Sequence, residues 1–367
     1  MERVPDEGGA HVRQLPEVDV VIAVHDEARP IERATASALR NARNVRVTVV
    51  AHGIDEASVA GRLGTLADDE RVRILELRDG IASPAGPFNL GLDEATGRFT
   101  SVLGSDDELE AGAIDSWLAL ADRASADAVI ARLRHAGGRA VPTPPARPLR
   151  SRHLHPVRDR LAYRSAPLGL VSREHFGDVR FAVGLPSGED LPYVTRVWYS
   201  GRPVAYDRRG PAYLIHGGAG RVTQTARAIA AEFAAVDSVL SDPAFAGLPR
   251  AQRESLVVKL VRVQLFGAVS NRSSTDSWTI EERGALAAAA ARLLATAPGA
   301  ERVLSRADRA LLDAILDGGV PTPRLIDLSH RRRRRVSFDA LVPRDLSRVL
   351  SVDGPLRFSA ASALALR

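Results

Sequence analysis

No cysteine occurs in the 367 residues, which excludes disulfides, thiolate metal sites and cysteine nucleophiles and fits a reducing compartment. Lysine is almost as scarce, since 49 of the 50 basic residues are Arg and Lys259 is the single Lys. So broad a preference reads first as codon bias rather than as a binding strategy. Long apolar runs are missing too: none approaches the roughly 18 residues of a membrane span. The opening "MERVPDEGGAHVRQLPEVD" lacks the apolar core of a secretory signal, so the expected compartment is the cytoplasm.

What is there is ordinary for a globular protein, with 45% apolar and 26% charged residues. The length predicts two domains, or one domain with an extension. The net charge of +5 is unevenly placed: residues 321–367 carry ten Arg against four Asp, so the first 320 residues are close to neutral. The body is therefore no general polyanion binder.

The first third alternates two periodicities. "VDVVIAV" (18–24), "VRVTVVA" (45–51), "RVRILEL" (71–77) and "FTSVL" (99–103) are short apolar runs of the kind that forms strands buried on both faces. Helical spacing fills the gaps at 30–42, 55–66 and 87–96. Strands with helical crossovers predict an α/β fold with a doubly wound, mostly parallel sheet. A fifth strand is expected at 128–134, followed by a Pro-rich connector, a helix at 188–198 and a strand at 203–207. Beyond them the pattern is helical at 223–241, 249–266, 279–297 and 300–317, the third opened by a capping box from Thr279 to Glu282. The expected organisation is an α/β domain at 1–222, a helical extension at 223–320 and a basic tail at 321–367.

Ligands of such sheets bind beyond the carboxyl ends of the strands. The segments following the four strands are "HDE" (25–27), "HGID" (52–55), "DG" (79–80) and "GSDD" (104–107). Acids and His cluster there although short neutral turns would serve folding alone. The last of these, within "FTSVLGSDDELEAG" (99–112), has two readings. Asp107 and Glu110 have the spacing of a capping box, and Asp106 and Asp107 also end a parallel strand where a metal or ligand would sit. The readings are compatible if Asp107 begins a helix and still turns its carboxylate toward the crevice, leaving Glu108 and Glu110 as capping and surface acids.

Taken in order, "VVIAVHDEARPIERATASAL", "SPAGPFNLGLDEATGRFTSVLGSDDEL" and "FAVGLPSGEDLPYVTRVWYSG" resemble the family 2 glycosyltransferases of the GT-A fold, over about residues 18–222. The resemblance implies a nucleotide-sugar donor, a UDP-sugar in the first instance, and a Mg²⁺ or Mn²⁺ ion bridging its diphosphate. Asp107 is then the leading metal ligand, Asp106 a ligand or a partner of sugar and ribose hydroxyls, and His216 a further ligand or a plain turn residue. Asp26, His52, Asp79, Asn89 and Arg221 fall at donor-binding positions. Asp190 of "GED" is the implied general base with Glu189 next, giving one in-line displacement with inversion. This chain departs from the family pattern at His52, Phe88 and Gly104, where an acid, an Arg and a further Asp are usual. It also lacks the Gln-x-x-Arg-Trp motif of processive synthases, which favours adding one sugar per encounter. The implied acceptor is a hydroxyl of a surface polysaccharide, a teichoic-acid-like polymer or a glycolipid.

"HRRRRRVSF" (330–338) reads either as a solvated charge run or as a contact for anionic lipid, at about 1 kcal/mol per Arg. Nucleic acid is not expected, because no interleaved aromatics or binding motif accompany the run. The helices of 223–317 either complete the acceptor side or form a homo-oligomer contact. Two other functions remain open to the sequence: a nucleotidyltransferase, although "AVHDEARP" is not Gly-rich, and a non-catalytic sugar-nucleotide-binding or assembly subunit.

Overall fold

The computed structural model describes residues 15–217, 227–334 and 337–365. Four parallel strands form the heart of the molecule: β1 (Val18–Val24), β2 (Val45–His52), β3 (Val72–Leu77) and β4 (Phe99–Gly104). Val18 of β1 faces Val45 on one side and Phe99 on the other, so the two neighbours share its register. The crossovers are α1 (Ile31–Leu39), α2 (Glu56–Leu63) and α3 (Ala85–Asp93). Asp19 interrupts the apolar run of β1 yet is fully buried. It accepts the N–H groups of Thr96 at 2.8 Å and Gly97 at 2.7 Å and a hydrogen bond from Arg46 at 2.6 Å, fixing the entry to β4.

The large sheet has seven strands in the order β10-β6-β9-β4-β1-β2-β3, with β6 (Ala128–Ile130), β9 (Gly169–Ser172) and β10 (Val204–Tyr206) completing it. The strand expected at 128–134 is in fact two: β6 stays in this sheet and β7 (Leu133–His135) leaves it. A four-stranded sheet, β5-β11-β7-β8, is built from β7 with β5 (Glu108–Leu109), β8 (Ala140–Val141) and β11 (Tyr213–Ile215). The unforeseen β9 lies antiparallel between β4 and β6. Its first residue, Gly169, has φ +130°, and a Cβ there would fall 1.9 Å from the Val129 carbonyl oxygen. Only glycine lets the backbones approach so closely.

The capping box at Asp107 does not form. The helix that follows, α4 (Ala113–Ala124), starts six residues later, with Gly112 in the left-handed region as its N-cap. Glu108 and Leu109 are drawn instead into β5, and Glu110 accepts the Ala212 N–H at 2.7 Å and pairs with Arg134 at 2.9 Å. Sheet pairing satisfies these backbone groups and displaces the local cap. The box at Thr279 does form, its side chain accepting the Glu282 N–H at 3.2 Å.

After the short helix α5 (Arg173–Phe176) comes α6 (Asp190–Trp198), which packs on α7 (Ile229–Leu240). The remaining helices are α8 (Pro243–Ala246), α9 (Arg250–Leu260), α10 (Phe266–Ser270), α11 (Ile280–Thr296), α12 (Arg306–Asp317), α13 (Thr322–Arg332), α14 (Phe338–Leu341) and α15 (Pro355–Ala365). A π-helical turn at Val261–Leu265 joins α9 to α10 where one continuous helix was expected. One apolar cluster runs from Val21, Val50 and Val102 on the sheet through Val194, Val197 and Trp198 of α6 to Phe233, Leu256, Leu286, Leu311 and Leu325. A second, with Ile22, Val49, Ile31, Ile114 and Trp117, fills the opposite sheet face. The C-terminal helices thus share a core with the sheet instead of trailing from it. Among the described residues, no helix is long and apolar enough to cross a membrane.

Candidate active site

Asp107 sits in the turn between β4 and β5, half-buried, with both carboxylate oxygens engaged. Oδ2 accepts the Tyr213 hydroxyl at 2.7 Å and Oδ1 accepts the His216 N–H at 3.0 Å. The Tyr213 hydroxyl in turn accepts the Gly104 N–H at 3.0 Å, so its own proton is directed at Asp107. Burial raises the Asp107 carboxyl above its usual range, and the neighbouring Asp106 charge adds to the rise. The Tyr213 phenol is pushed well above 10, by burial first and by Asp107 second. Each carboxylate oxygen keeps a lone pair beyond these bonds. The carboxylate is therefore aimed rather than blocked.

Gly104 is required here for space. A Cβ at this position would lie 2.8 Å from Asp107 Oδ2 and 3.3 Å from Asp106 Oδ1. That accounts for one departure from the family pattern, because a further Asp would collide with the pair already present. Asp106 pairs with Arg29, and Arg33 donates to its main-chain carbonyl. His216 contributes its ring as well as its N–H, with Nε2 3.3 Å from Glu108 Oε2. Glu108 is held low in pKa, first by its hydrogen bond from Arg40 at 2.7 Å and also by His216. Among the described residues no three acidic, His or Cys side chains converge as a ready cation cage. The donors expected of a metal site are adjacent, with Asp106 turned to Arg29 and His216 to Glu108.

His52 and Asp79 meet at the ends of β2 and β3, with His52 Nε2 2.8 Å from Asp79 Oδ1. The same oxygen accepts the Ile81 N–H at 2.9 Å, and these bonds, His52 first, lower the Asp79 pKa. The two positions named separately in the sequence form one unit. Asp26, exposed after β1, accepts the Ala28 N–H at 2.9 Å and shapes its own turn. Arg221 lies outside the described residues.

Asn89 makes contacts of another kind. Its Nδ2 donates to the Phe181 carbonyl at 2.9 Å and its Oδ1 accepts the Phe181 N–H at 2.8 Å, as a cross-strand partner would. Phe181 packs between Phe88, 5.2 Å away, and Tyr193, stacked at 4.6 Å. Phe88, where an Arg is usual, is thus a packing residue. This clamp ties the approach to "GED" onto α3, whose N-terminus lies beyond the carboxyl end of β3. Glu189 caps α6 and Asp190 is its first residue. Burial, followed by the Glu189 charge, raises the Asp190 carboxyl to about 7. A carboxyl so poised exchanges a proton near neutral pH, as a general base must.

Sequence reasoning missed Arg29, Arg33 and Tyr213. Arg29 was in view within "HDEARP", but attention to acids and His passed over the cation that pairs with them. Tyr213, three residues before His216 in a short strand, carried no signal beyond its alternation.

Comparison with known proteins gives this arrangement its context. Residues 19–179 match the family described as Glycosyl transferase family 2. A curated relative, the succinoglycan biosynthesis protein ExoO of Rhizobium meliloti (strain 1021), is 33% identical over 122 residues, which is 33% of this chain and 34% of that protein. The match therefore spans about a third of that relative's length. Among solved structures, TarS 1–349 of S. aureus superposes with a TM-score of 0.69 at 16% identity, covering 88% of this chain and 93% of that one. The same protein in complex with UDP-GlcNAc gives 0.70 at the same identity and coverage. At that identity the likeness shows the fold alone, and the fold is the GT-A-like, mostly parallel α/β arrangement with its C-terminal helical region. Over residues 19–179, less than half of its length, this chain is thus similar to glycosyltransferase family 2.

Proposed function

We propose that the chain is an inverting glycosyltransferase that moves one sugar from a nucleotide-sugar donor, a UDP-sugar in the first instance, to a hydroxyl of a surface-polysaccharide, teichoic-acid-like or glycolipid acceptor. The observation that carries this reading is the pairing of two carboxyl centres with different tasks. Asp107 is pinned by Tyr213 and His216 at the end of β4, and Asp190 is half-buried at the start of α6 with its pKa raised to about 7. The family match and the UDP-GlcNAc complex of TarS support the donor class.

Asp190 in its ionised form takes the proton of the acceptor hydroxyl. The oxygen so freed forms its bond to the anomeric carbon while the bond from that carbon to the diphosphate oxygen breaks. The nucleoside diphosphate leaves with the electron pair, and attack from the opposite side inverts the centre. Glu189 keeps the carboxyl of Asp190 from ionising too readily, so that it remains basic enough to accept the proton. Asp107 would be the leading ligand for Mg²⁺ or Mn²⁺, since its carboxylate keeps lone pairs, while Asp106 and His216 would reach the ion only by turning from Arg29 and Glu108. A divalent ion held there supplies positive charge to the departing diphosphate. His52, Asp79 and Asp26 line the donor end. Asn89 acts by fixing the loop that delivers Glu189 and Asp190, and Arg221 stays a phosphate-binding assignment from the sequence alone.

A panel of sugar nucleotides, each tested by thermal shift with and without Mn²⁺, checks donor class and metal together. The expected result is stabilisation by one donor that grows when Mn²⁺ is added, since a ligand bound only by the folded state raises its stability. Equal or no response across the panel contradicts the assignment.

A further inference from the structure

Charge is unevenly placed inside the α/β body as well. Residues 128–168 carry nine Arg and one Asp, a local excess that the near-neutral sum over the first 320 residues conceals. The single acid is engaged internally. Asp159, fully buried, accepts the main-chain N–H of Arg147 at 3.0 Å, its Nε at 2.8 Å and its Nη2 at 2.6 Å, and the His155 N–H at 2.8 Å. Asp207, which follows β10, is buried too and accepts the Ser116 hydroxyl at 2.6 Å and the Gly210 N–H at 2.9 Å. By contrast, the side chains of Arg132, Arg150, Arg152 and Arg209 make no hydrogen bond or ion pair with a described residue. The last three are exposed and Arg132 is half-buried.

Topology brings these four together. β10 is parallel to β6, and β9 runs antiparallel to both β6 and β4. The carboxyl ends of β6 and β10 therefore lie on the same side of the sheet as that of β4, where Asp107 sits. Arg132 stands just past the end of β6, and its carbonyl accepts the N–H of Tyr213, the residue that holds Asp107, at 2.8 Å. Arg209 follows the end of β10. The loop bearing Arg150 and Arg152 is tied to that same end: the Ser151 carbonyl accepts the Tyr206 N–H at 2.9 Å, and the Arg147 carbonyl accepts Nη1 of Arg208 at 3.1 Å. At its tip Leu149 has φ +60° and is 85% exposed, and His153 has φ +49°. A leucine held left-handed without burial persists where flanking bonds over-determine the loop, and such strain gathers at ligand clamps. Arg150 and Arg152 are thus presented from a fixed turn.

We propose that Arg132, Arg150, Arg152 and Arg209 form an acceptor-side docking surface for an acidic glycan, one that carries phosphodiester or carboxylate groups along its chain. The proposal rests on the glycosyltransferase reading and narrows its acceptor to a polyanion. The guanidinium fork receives either group bidentately. Three strand spacings separate β10 from β4, about 14 Å in all, so a chain whose reacting hydroxyl lies at the site extends over the basic edge. The other half of the edge is opposite in sign, with Asp26, Glu27, Asp55 and Asp79 after β1 to β3. Those acids turn a polyanion away from the donor end.

The test uses the full-length protein and polymers of matched length: poly(glycerol phosphate) for phosphodiester, polygalacturonate for carboxylate, dextran as the neutral chain and single-stranded DNA as a polyanion that is not a glycan. In calorimetric titration one of the two acidic polymers is expected to bind more tightly than dextran and DNA, less so as salt is raised. Whichever binds names the charged group. Arg150→Gln/Arg152→Gln/Arg209→Gln is expected to weaken that binding about tenfold, the sum of three exposed charge pairs. Arg331→Gln/Arg333→Gln/Arg334→Gln removes the same charge from the tail and is expected to leave it unchanged. If the first triple variant does not fold, Arg209→Gln alone decides, with an expected loss of about two- to fivefold. Equal affinity for dextran, tighter binding of DNA or equal weakening by the two triple variants overturns the proposal. A donor response in the thermal-shift panel without binding of either acidic polymer also overturns it and leaves the transferase reading standing. Acidic-polymer binding without any donor response removes the transferase reading, and with it the acceptor role of the surface.

Discussion

Tyr213 fixes the direction in which Asp107 offers its remaining lone pairs, because its hydroxyl is itself held by the Gly104 N–H. Tyr213→Phe removes that guidance while keeping the ring in the core. Mn²⁺ affinity, followed by calorimetric titration, is expected to fall about 10- to 100-fold, the usual effect of losing a group that orients a ligand. Unchanged affinity would mean that Asp107 needs no such support. Asp190 makes a prediction of a different kind. A base works in its ionised form, and a carboxyl with pKa about 7 becomes protonated as pH falls through 7. The logarithm of kcat/KM should therefore decline with unit slope below about pH 7 and level off above it. A profile flat down to pH 5, where an ordinary carboxylate is still ionised, would contradict the burial argument.

At the scale of elements, Asn89 and Gly169 explain why the sequence was readable in some places and opaque in others. The parallel strands β1 to β4 and their crossover helices follow from apolar runs and helical spacing, both local properties. So do the polar residues at the strand ends, which is why Asp106, Asp107, His52 and Asp79 could be singled out beforehand. The strand β9 could not, because Gly169–Ser172 is only four residues long and its pairing with β4 and β6 joins distant segments. The false capping box at Asp107 has the same origin: a correct local signal lost to sheet pairing by Glu108 and Leu109. Asn89, read as a donor contact at a helix start, is a clamp on a main chain 92 residues away. Asn89→Ala should cost about 1–3 kcal/mol in urea denaturation, for two hydrogen bonds to a partly buried backbone. It should also lower kcat about tenfold or more through the displaced loop. Loss of stability without loss of kcat would separate the clamp from the base. Gly169→Ala should destabilise by about 3 kcal/mol or more, since the new methyl meets the Val129 carbonyl.

Across the whole molecule the C-terminal third is part of the body. Arg331 pairs with Asp327 at 3.0 Å, and Arg332 pairs with Asp308 at 2.9 Å while covering the Phe266 ring at 4.5 Å. Two of the five arginines once read as a free basic run are thereby engaged, and Arg335 lies outside the described residues. Phe358 of α15 returns to the α/β half, against Tyr163 at 4.8 Å and beneath the guanidinium groups of Arg160 at 5.9 Å and Arg262 at 5.4 Å. Phe358→Ala should lower stability by about 1–2 kcal/mol, from lost ring contacts and cation–π attraction. An unchanged urea midpoint would show the contact to be incidental. The central claim concerns what Asp107 and Asp190 do together. Its most direct test is sugar transfer, or donor hydrolysis, by the folded wild type beside Asp107→Asn and Asp190→Asn. The account predicts that each variant keeps the wild-type fold and loses about 10²- to 10⁴-fold in turnover, and turnover undiminished in both would contradict it.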